Sequence, residues 1–304
     1  MKTGQNKNGL SVIRKGVKKN ILGWALFTPF VLLLYLFVIR PQVIGIIYSL
    51  FDMVGFEPIK FVGFENYKNI LSNPDFPPIL FNTIKYVLWS LVIGFPLPVI
   101  MAITVNEMRS SQGFFRFSLY LPAIVPTIAA SMIWFFMYYP DRAGLFNAVL
   151  SKFGIAPLSW LQDSRLVIPL IVVSGTWKSA GATMIMYVAA LTGVNQELYE
   201  AAVIDGAGLM KRICHITLPQ ISPIIILGLV QQIISVFQTL EQPMTMTGGG
   251  PNNASMPIAY WAYKEGFEGF RVANSLAIST ITFLILIVMT VFYFSVNKKL
   301  EENI

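Results

Sequence analysis

Charge, cysteine and histidine are all scarce in this chain. Only 12% of its 304 residues are charged and 55% are apolar, with a mean hydropathy of +0.64. Soluble domains carry about a quarter of their residues as charges, so a water-soluble globular fold is excluded and an integral membrane protein is implied. Cys214 has no second cysteine to pair with, and His215 is the sole histidine. Neither a disulfide framework nor a Cys/His metal cluster can be assembled from them. The Gly-x-x-x-x-Gly-Lys-Ser/Thr loop that cradles nucleotide phosphates is also missing. Gly248-Gly249-Gly250-Pro251 lacks the Lys-Ser/Thr and reads as a turn. No repeat relates the two halves, as it often does in secondary transporters.

What is present is a series of long apolar runs. A bilayer core of about 30 Å takes about 20 apolar residues of helix, and six such stretches occur near 21–39, 80–105, 117–139, 166–191, 218–240 and 272–296. Each must be helical, because unpaired backbone amides in hydrocarbon cost several kcal/mol. The expected fold is an all-α integral membrane domain over 21–296, flanked by a basic tail at 1–20 and a short tail at 297–304. The first run is longer than a secretory signal core, and Arg40-Pro41 after it does not resemble a cleavage site. The segments between runs, about 40–79 and 241–271 on one side, are too short for a core of their own.

Lysine and arginine set the orientation. With the N-terminus inside, the cytoplasmic segments hold Lys2, Lys7, Arg14, Lys15, Lys18, Lys19, Arg109, Arg116, Lys211, Arg212, Lys298 and Lys299, against six carboxylates. On the other side carboxylates outnumber bases. By the positive-inside rule both termini and the loop at 195–217 are cytoplasmic. The net charge of +7 thus follows membrane topology, and no nucleic acid partner is implied.

That loop is the most informative segment. Residues 197–204 can form two helical turns in which Leu198, Ala201, Ala202 and Asp205 cluster at spacings of three and four, with alanines small enough to admit a close neighbour. Gly206 can take φ > 0 and end the helix. A second short helix is expected next, with Leu209, Ile213 and Ile216 on the membrane surface and Lys211, Arg212 and His215 toward water. Pro219 would then open the next span. Physics alone also allows a surface-lying connector with no partner.

Glu200-Ala201-Ala202, three residues, Gly206, nine residues, then Ile216-Thr217-Leu218-Pro219 resembles the EAA loop of permease subunits in bacterial binding-protein-dependent ABC importers. Similarity to the carbohydrate, maltose-permease branch extends to Phe61-Val62-Gly63-Phe64-Glu65-Asn66-Tyr67, Asn82-Thr83, Gly144-Leu145-Phe146-Asn147 and Thr247-Gly248-Gly249-Gly250-Pro251. Unlike the maltose protein, this chain has no large extracellular insertion, which bears on how a binding protein docks. The resemblance implies a six-helix type I importer fold in a bacterial cytoplasmic membrane, with no catalysis and no cofactor on this chain. It implies four kinds of partner: a second permease subunit, two copies of an ATPase carrying the ATP and Mg, an extracellular binding protein, and a carbohydrate. It also implies that the loop is a coupling helix. Glu200 would make a charged contact to the ATPase, Ala201 and Ala202 would pack, and Gly206 would turn the chain, beside Asp205 and Leu209.

The solute path should be built from polar groups inside spans, where they are expensive. In span five Gln231, Ser235, Gln238 and Gln242 recur at offsets of four, seven and eleven, with Gln232 and Thr239 adjacent. The same amides also suit hydrogen bonds to a second subunit. Phe237, Trp177 and Tyr187 are candidate stacking rings or packing residues. Lys178 lies about 18 Å from either end of span four, near mid-bilayer, where a lysine costs roughly 3 kcal/mol. Its fitting partners are a carboxylate of the companion subunit or an anionic solute. The resemblance places Lys178, Ser179 and Ala182 beside the sugar. A uronate-bearing oligosaccharide is the expected cargo and a glycerol phosphate ester the alternative. Lys85, near the outer end of span two, is expected to snorkel to the interface.

Overall fold

The architecture, a computed structural model, describes residues 21–108 and 111–301. The tail at 1–20, Arg109 and residues 302–304 lie outside the described residues. Helices α1 (Gly23–Tyr48), α3 (Phe76–Glu107), α9 (Leu209–Phe237) and α12 (Val272–Ser295) are each long and apolar enough to cross a membrane. Between them come a hairpin, β1 (Phe51–Val54) with β2 (Glu57–Phe61), and the short α2 (Glu65–Leu71). The bent pair α4 (Gln112–Ile124) and α5 (Thr127–Met137) passes the same test when taken together and makes a fifth candidate span. After α6 (Leu145–Lys152) comes α7 (Val167–Thr192), the central helix, on which twelve residues are buried. The remaining elements are α8 (Gln196–Ile204), α10 (Glu241–Thr247) and α11 (Ile258–Tyr263).

Prolines account for much of the departure from six straight rods. Expected to stop at Arg40-Pro41, α1 instead runs on to Tyr48. A proline cannot donate to the carbonyl four residues back and its ring crowds that carbonyl, so the preceding turn opens into a π-turn, Tyr35–Ile39, in which Arg40 N–H bonds Tyr35 O. The same device precedes Pro96, where Phe95 N–H reaches Ser90 O, and Pro219, where Leu218 N–H reaches Ile213 O. All three prolines stand two residues past the wide turn. Pro219 stands in the first turn of the α-helical stretch Leu218–Phe237, as expected, and that stretch continues the helix begun at Leu209. At Pro126 the outcome differs. Val125, ahead of the proline, is driven to extended backbone at ψ 131°, and the expected straight span at 117–139 breaks by 93°.

The segment 241–271, too short for a core of its own, shares that of the bundle. Met246, Met256, Ile258, Tyr260 and Trp261 are buried and join the bundle core beside Tyr86, Ile171, Phe237 and Ile278. A second apolar layer, with Val99, Met184, Tyr187 and Ile221, packs nearer the 193–217 end. Glu265, buried after α11, takes two bonds from Arg271 at 2.7 and 2.6 Å and one from Asn274 at 3.1 Å. These bonds hold the Arg271 guanidinium above its usual pKa.

Three buried asparagines tie connections to spans, and each belongs to a motif quoted above. Asn66 donates to Ser49 O and Phe51 O, both at 2.9 Å. Asn147 donates to Tyr139 O and Leu158 O and accepts from Leu158 N and Trp160 Nε1. On α3, Asn82 donates to Asn253 O (2.8 Å) and Met256 O (3.3 Å), Thr83 accepts from Ile258 N, and Tyr86 donates to Ser255 O. Asn82-Thr83 and the glycine turn, 165 residues apart in the chain, are thus two halves of one clamp. Gly248 and Gly249, at φ +58° and +86°, give that turn its left-handed backbone. A buried amide paired on several sides stabilises by about 1 kcal/mol per bond and costs more than that if orphaned.

Candidate functional site: a coupling loop and a polar mid-bundle cavity

At one end of the bundle the chain leaves α7 and builds α8. Asn195 caps it by accepting from Glu197 N at 3.0 Å, leaving its polar end satisfied. Its other end is a complete Schellman turn: Gly206 sits at φ +73°, Gly206 N bonds Val203 O at 3.0 Å and Ala207 N bonds Ala202 O at 2.8 Å. The predicted residues are brought together here. Glu200, Ala201, Asp205, Gly206 and Leu209 are exposed and Ala202 is half-buried. Ile204, at 86% exposure, stands out with Leu198, Val203 and Met210 as an apolar tip with no cover.

Behind this tip the loop is tied to the spans. Tyr199 Oη and Thr217 Oγ1 are 3.0 Å apart, joining α8 to the π-turn Ile213–Thr217 of α9. Arg212 lies 3.7 Å from Glu107 at the end of α3. Sequence reasoning missed Tyr199, Thr217 and Glu107, since no local pattern pairs residues on separate elements. It also misplaced Arg212, which pairs inward. Ile213 and Ile216 are half-buried on α9 and Leu209 is exposed. His215 does stay exposed, its Nδ1 3.0 Å from Lys211 O.

Between the two apolar layers lies a small polar cavity of about 120 Å³. α9 gives it Gln232 and Ser235, α7 gives Thr176 and Ser179, and α3 gives Ser90. The Gln232 amide donates to Ser90 Oγ. Gly94 makes the room: a Cβ there would lie 3.1 Å from both Gln232 Nε2 and Thr176 Oγ1. The polar face of span five is not one continuous helix, because α9 ends at Phe237 and Gln238 caps it. Thr239 and Gln242 return to the cavity from the bend and from α10. Ser90 and Thr176 went unnoticed in the sequence; small polar residues inside apolar runs were the signal.

The remaining predicted residues line the outside of this cavity. Ser179 and Ser235 are both cavity-lining and exposed, so the cavity opens there. Ala182, Gln231 and Gln238 are exposed within one helical turn of that mouth, and Lys178, next to Ser179, is half-buried. Lys178 has no carboxylate at ion-pair distance among the described residues. A polar stripe of this kind is too costly to leave in hydrocarbon and requires cover. The aromatic candidates resolve as packing. Phe237 and Tyr187 are buried, Tyr187 filling the space left by Gly228, and Trp177 meets Trp134 edge to face at 5.9 Å. Lys85 stands 4.7 Å over the Phe81 ring and borders a pocket at the end opposite α8.

Residues 94–302 match the model of the binding-protein-dependent transport system inner membrane component family. The chain is 32% identical to the trehalose/maltose transport system permease protein of Thermococcus litoralis, over 91% of this chain and 94% of that one. It is 31% identical to the arabinooligosaccharides transport system permease protein of Bacillus subtilis, over 87% and 85% of the two chains. Among solved structures it superposes on a chain of a bacterial alginate ABC transporter in complex with an alginate pentasaccharide-bound periplasmic protein, with TM-score 0.84 and 25% identity over 94% of this chain and 97% of that one. The chain is a multi-pass membrane permease and belongs to the binding-protein-dependent transport system inner membrane component family.

Proposed function

We propose that this chain is one of two membrane-spanning subunits of an ATP-driven importer that moves an acid-bearing sugar or oligosaccharide from an extracellular binding protein into the cytoplasm. The observation that carries the reading is the connection between the α8 tip and the cavity. The tip is uncovered and apolar, yet Tyr199–Thr217 fastens α8 to α9 and Arg212–Glu107 joins α9 to α3, the two helices that supply Gln232 and Ser90 to the cavity. A partner that moves α8 therefore moves cavity walls.

In this reading two ATPase copies, holding the ATP and Mg, seat the α8 tips of the two permease subunits, with Glu200 facing a basic group and Ala201 and Ala202 against the partner surface. The α8 end and both termini are cytoplasmic. A second permease covers Lys178, Ser179, Ala182, Gln231, Ser235 and Gln238, so that the two half-cavities close into one path. Amides and hydroxyls then exchange hydrogen bonds with sugar hydroxyls, and unpaired Lys178 meets the solute's negative charge. The trehalose/maltose, arabinooligosaccharide and alginate relatives support sugar as the cargo class. Alginate, being an acidic polysaccharide, supports the charge.

Uptake of a labelled uronate trisaccharide, the same trisaccharide with its carboxyls reduced, and glycerol phosphate tests the assignment. The parent is expected to favour the acidic sugar, and Lys178→Gln to lower its uptake about tenfold, equivalent to about 1.4 kcal/mol, while sparing any uptake of the reduced form. Equal effects on both sugars would remove the charge argument. Preference for glycerol phosphate would move the cargo to a phosphate ester.

A further inference from the structure

We infer that the outer end of the bundle holds a separate receiving pocket for an acidic sugar residue, built around Lys85, Trp89 and Arg165. This deepens the acidic-sugar reading and rests on it. A pocket of about 520 Å³ lies between α3, the start of α7 and the glycine turn, and Asn82, Lys85, Trp89 and Arg165 line it. It is several times larger than the mid-bundle cavity and shares no lining residue with it.

Its place follows from helical spacing. On α3, Asn82, Lys85 and Trp89 recur at three and four residues on the face beside that of the cavity-lining Tyr86 and Ser90. On α7, Ile168 lines the pocket and Val172, Gly175 and Ser179 continue the same row into the cavity. The pocket therefore lies beside the cavity on α3 and outward of it on α7, and solute arriving from outside meets it first.

Its chemistry matches three parts of a uronate. Neither Lys85 nor Arg165 has a carboxylate at ion-pair distance among the described residues, so both cations are available to a carboxylate. Among the described residues Lys85 makes only its contact with the Phe81 ring, which leaves ammonium N–H groups free to donate. The Trp89 ring, partly exposed, offers a flat face to the C–H side of a pyranose. Asn82 spends its amide N–H groups on Asn253 O and Met256 O, so its carbonyl oxygen remains to accept from a sugar hydroxyl. Asp75 on the rim is the one acid in the lining, so two cations against one carboxylate leave the pocket net positive.

Ser164, an exposed rim residue, provides a reporter. In a Cys214→Ser background, Ser164→Cys in the full-length chain in native membranes would be labelled by an anionic methanethiosulfonate, with the uronate trisaccharide or its carboxyl-reduced counterpart as competitor. The acidic sugar is expected to slow labelling at least threefold and the reduced sugar not at all. Lys85→Gln with Arg165→Gln should abolish protection, Lys85→Arg should retain it, and Lys178→Gln should leave it unchanged. Equal protection by both sugars, or protection that survives the double replacement, overturns the pocket. If acidic sugar is taken up but never protects, the pocket falls and the acidic cargo stands; if acidic sugar is not taken up at all, both fall.

Discussion

Replacing Gly206 by proline is expected to leave the chain in the membrane at its normal level and to lower transport-coupled ATP hydrolysis at least tenfold. Gly206 is held at φ +73° and donates its N–H to Val203 O, and the next N–H, of Ala207, closes on Ala202 O. Proline has no N–H and fixes φ near −65°, so both bonds that end α8 are lost and the tip is re-aimed. The damage stays local because no heavy atom lies within 4 Å of where a Gly206 Cβ would stand. Gly206→Asn is the control, since asparagine tolerates the left-handed conformation, and it should retain most activity. If proline and asparagine behave alike, the geometry of the turn is irrelevant to coupling.

Gly181→Val is expected to fail differently, by loss of folded protein. Gly181 is buried where α7 crosses α4, and a Cβ there would lie 2.0 Å from Leu119 O and 2.8 Å from Leu119 C. These are backbone atoms, so no rotamer change relieves the clash and the two helices must separate. Overpacking costs about 1–3 kcal/mol, occasionally more, and α7 is the helix on which the others pack. Detergent-solubilised Gly181→Val should show a clearly lower melting temperature and reduced recovery, with Gly181→Ala between it and the parent. A parent-like melting curve for valine would mean that the helices do not approach this closely.

How much of this was legible in the sequence depends on whether the signal was local. Hydropathy located the helices α1, α3, α7, α9 and α12 and the bent pair α4 and α5, and the spacing from Glu200 to Pro219 located α8 and its glycine stop, because caps and turns are written within a few residues. Prolines 41, 96 and 219 were visible, but a proline by itself does not say whether it ends a helix or widens one turn. At Val125-Pro126 the break was readable and was passed over in favour of an uninterrupted apolar run. The burial of 241–271 was not readable, since it rests on Asn82 and Thr83 reaching backbone groups at 253, 256 and 258. The mid-bundle cavity divided in the same way. The α9 face announced Gln232 and Ser235, while Ser90, Gly94 and Thr176 acquire meaning only when three helices meet.

The central claim is that α8 transmits a partner's motion to the cavity walls. Its most direct measurement is site-specific cross-linking from a photoreactive side chain at Ala201, on the exposed face of α8, in the intact transporter. The account predicts one dominant product with the ATPase subunit, whose yield changes when ATP is bound. Products formed only with lipid, with the chain itself or with solvent would contradict it.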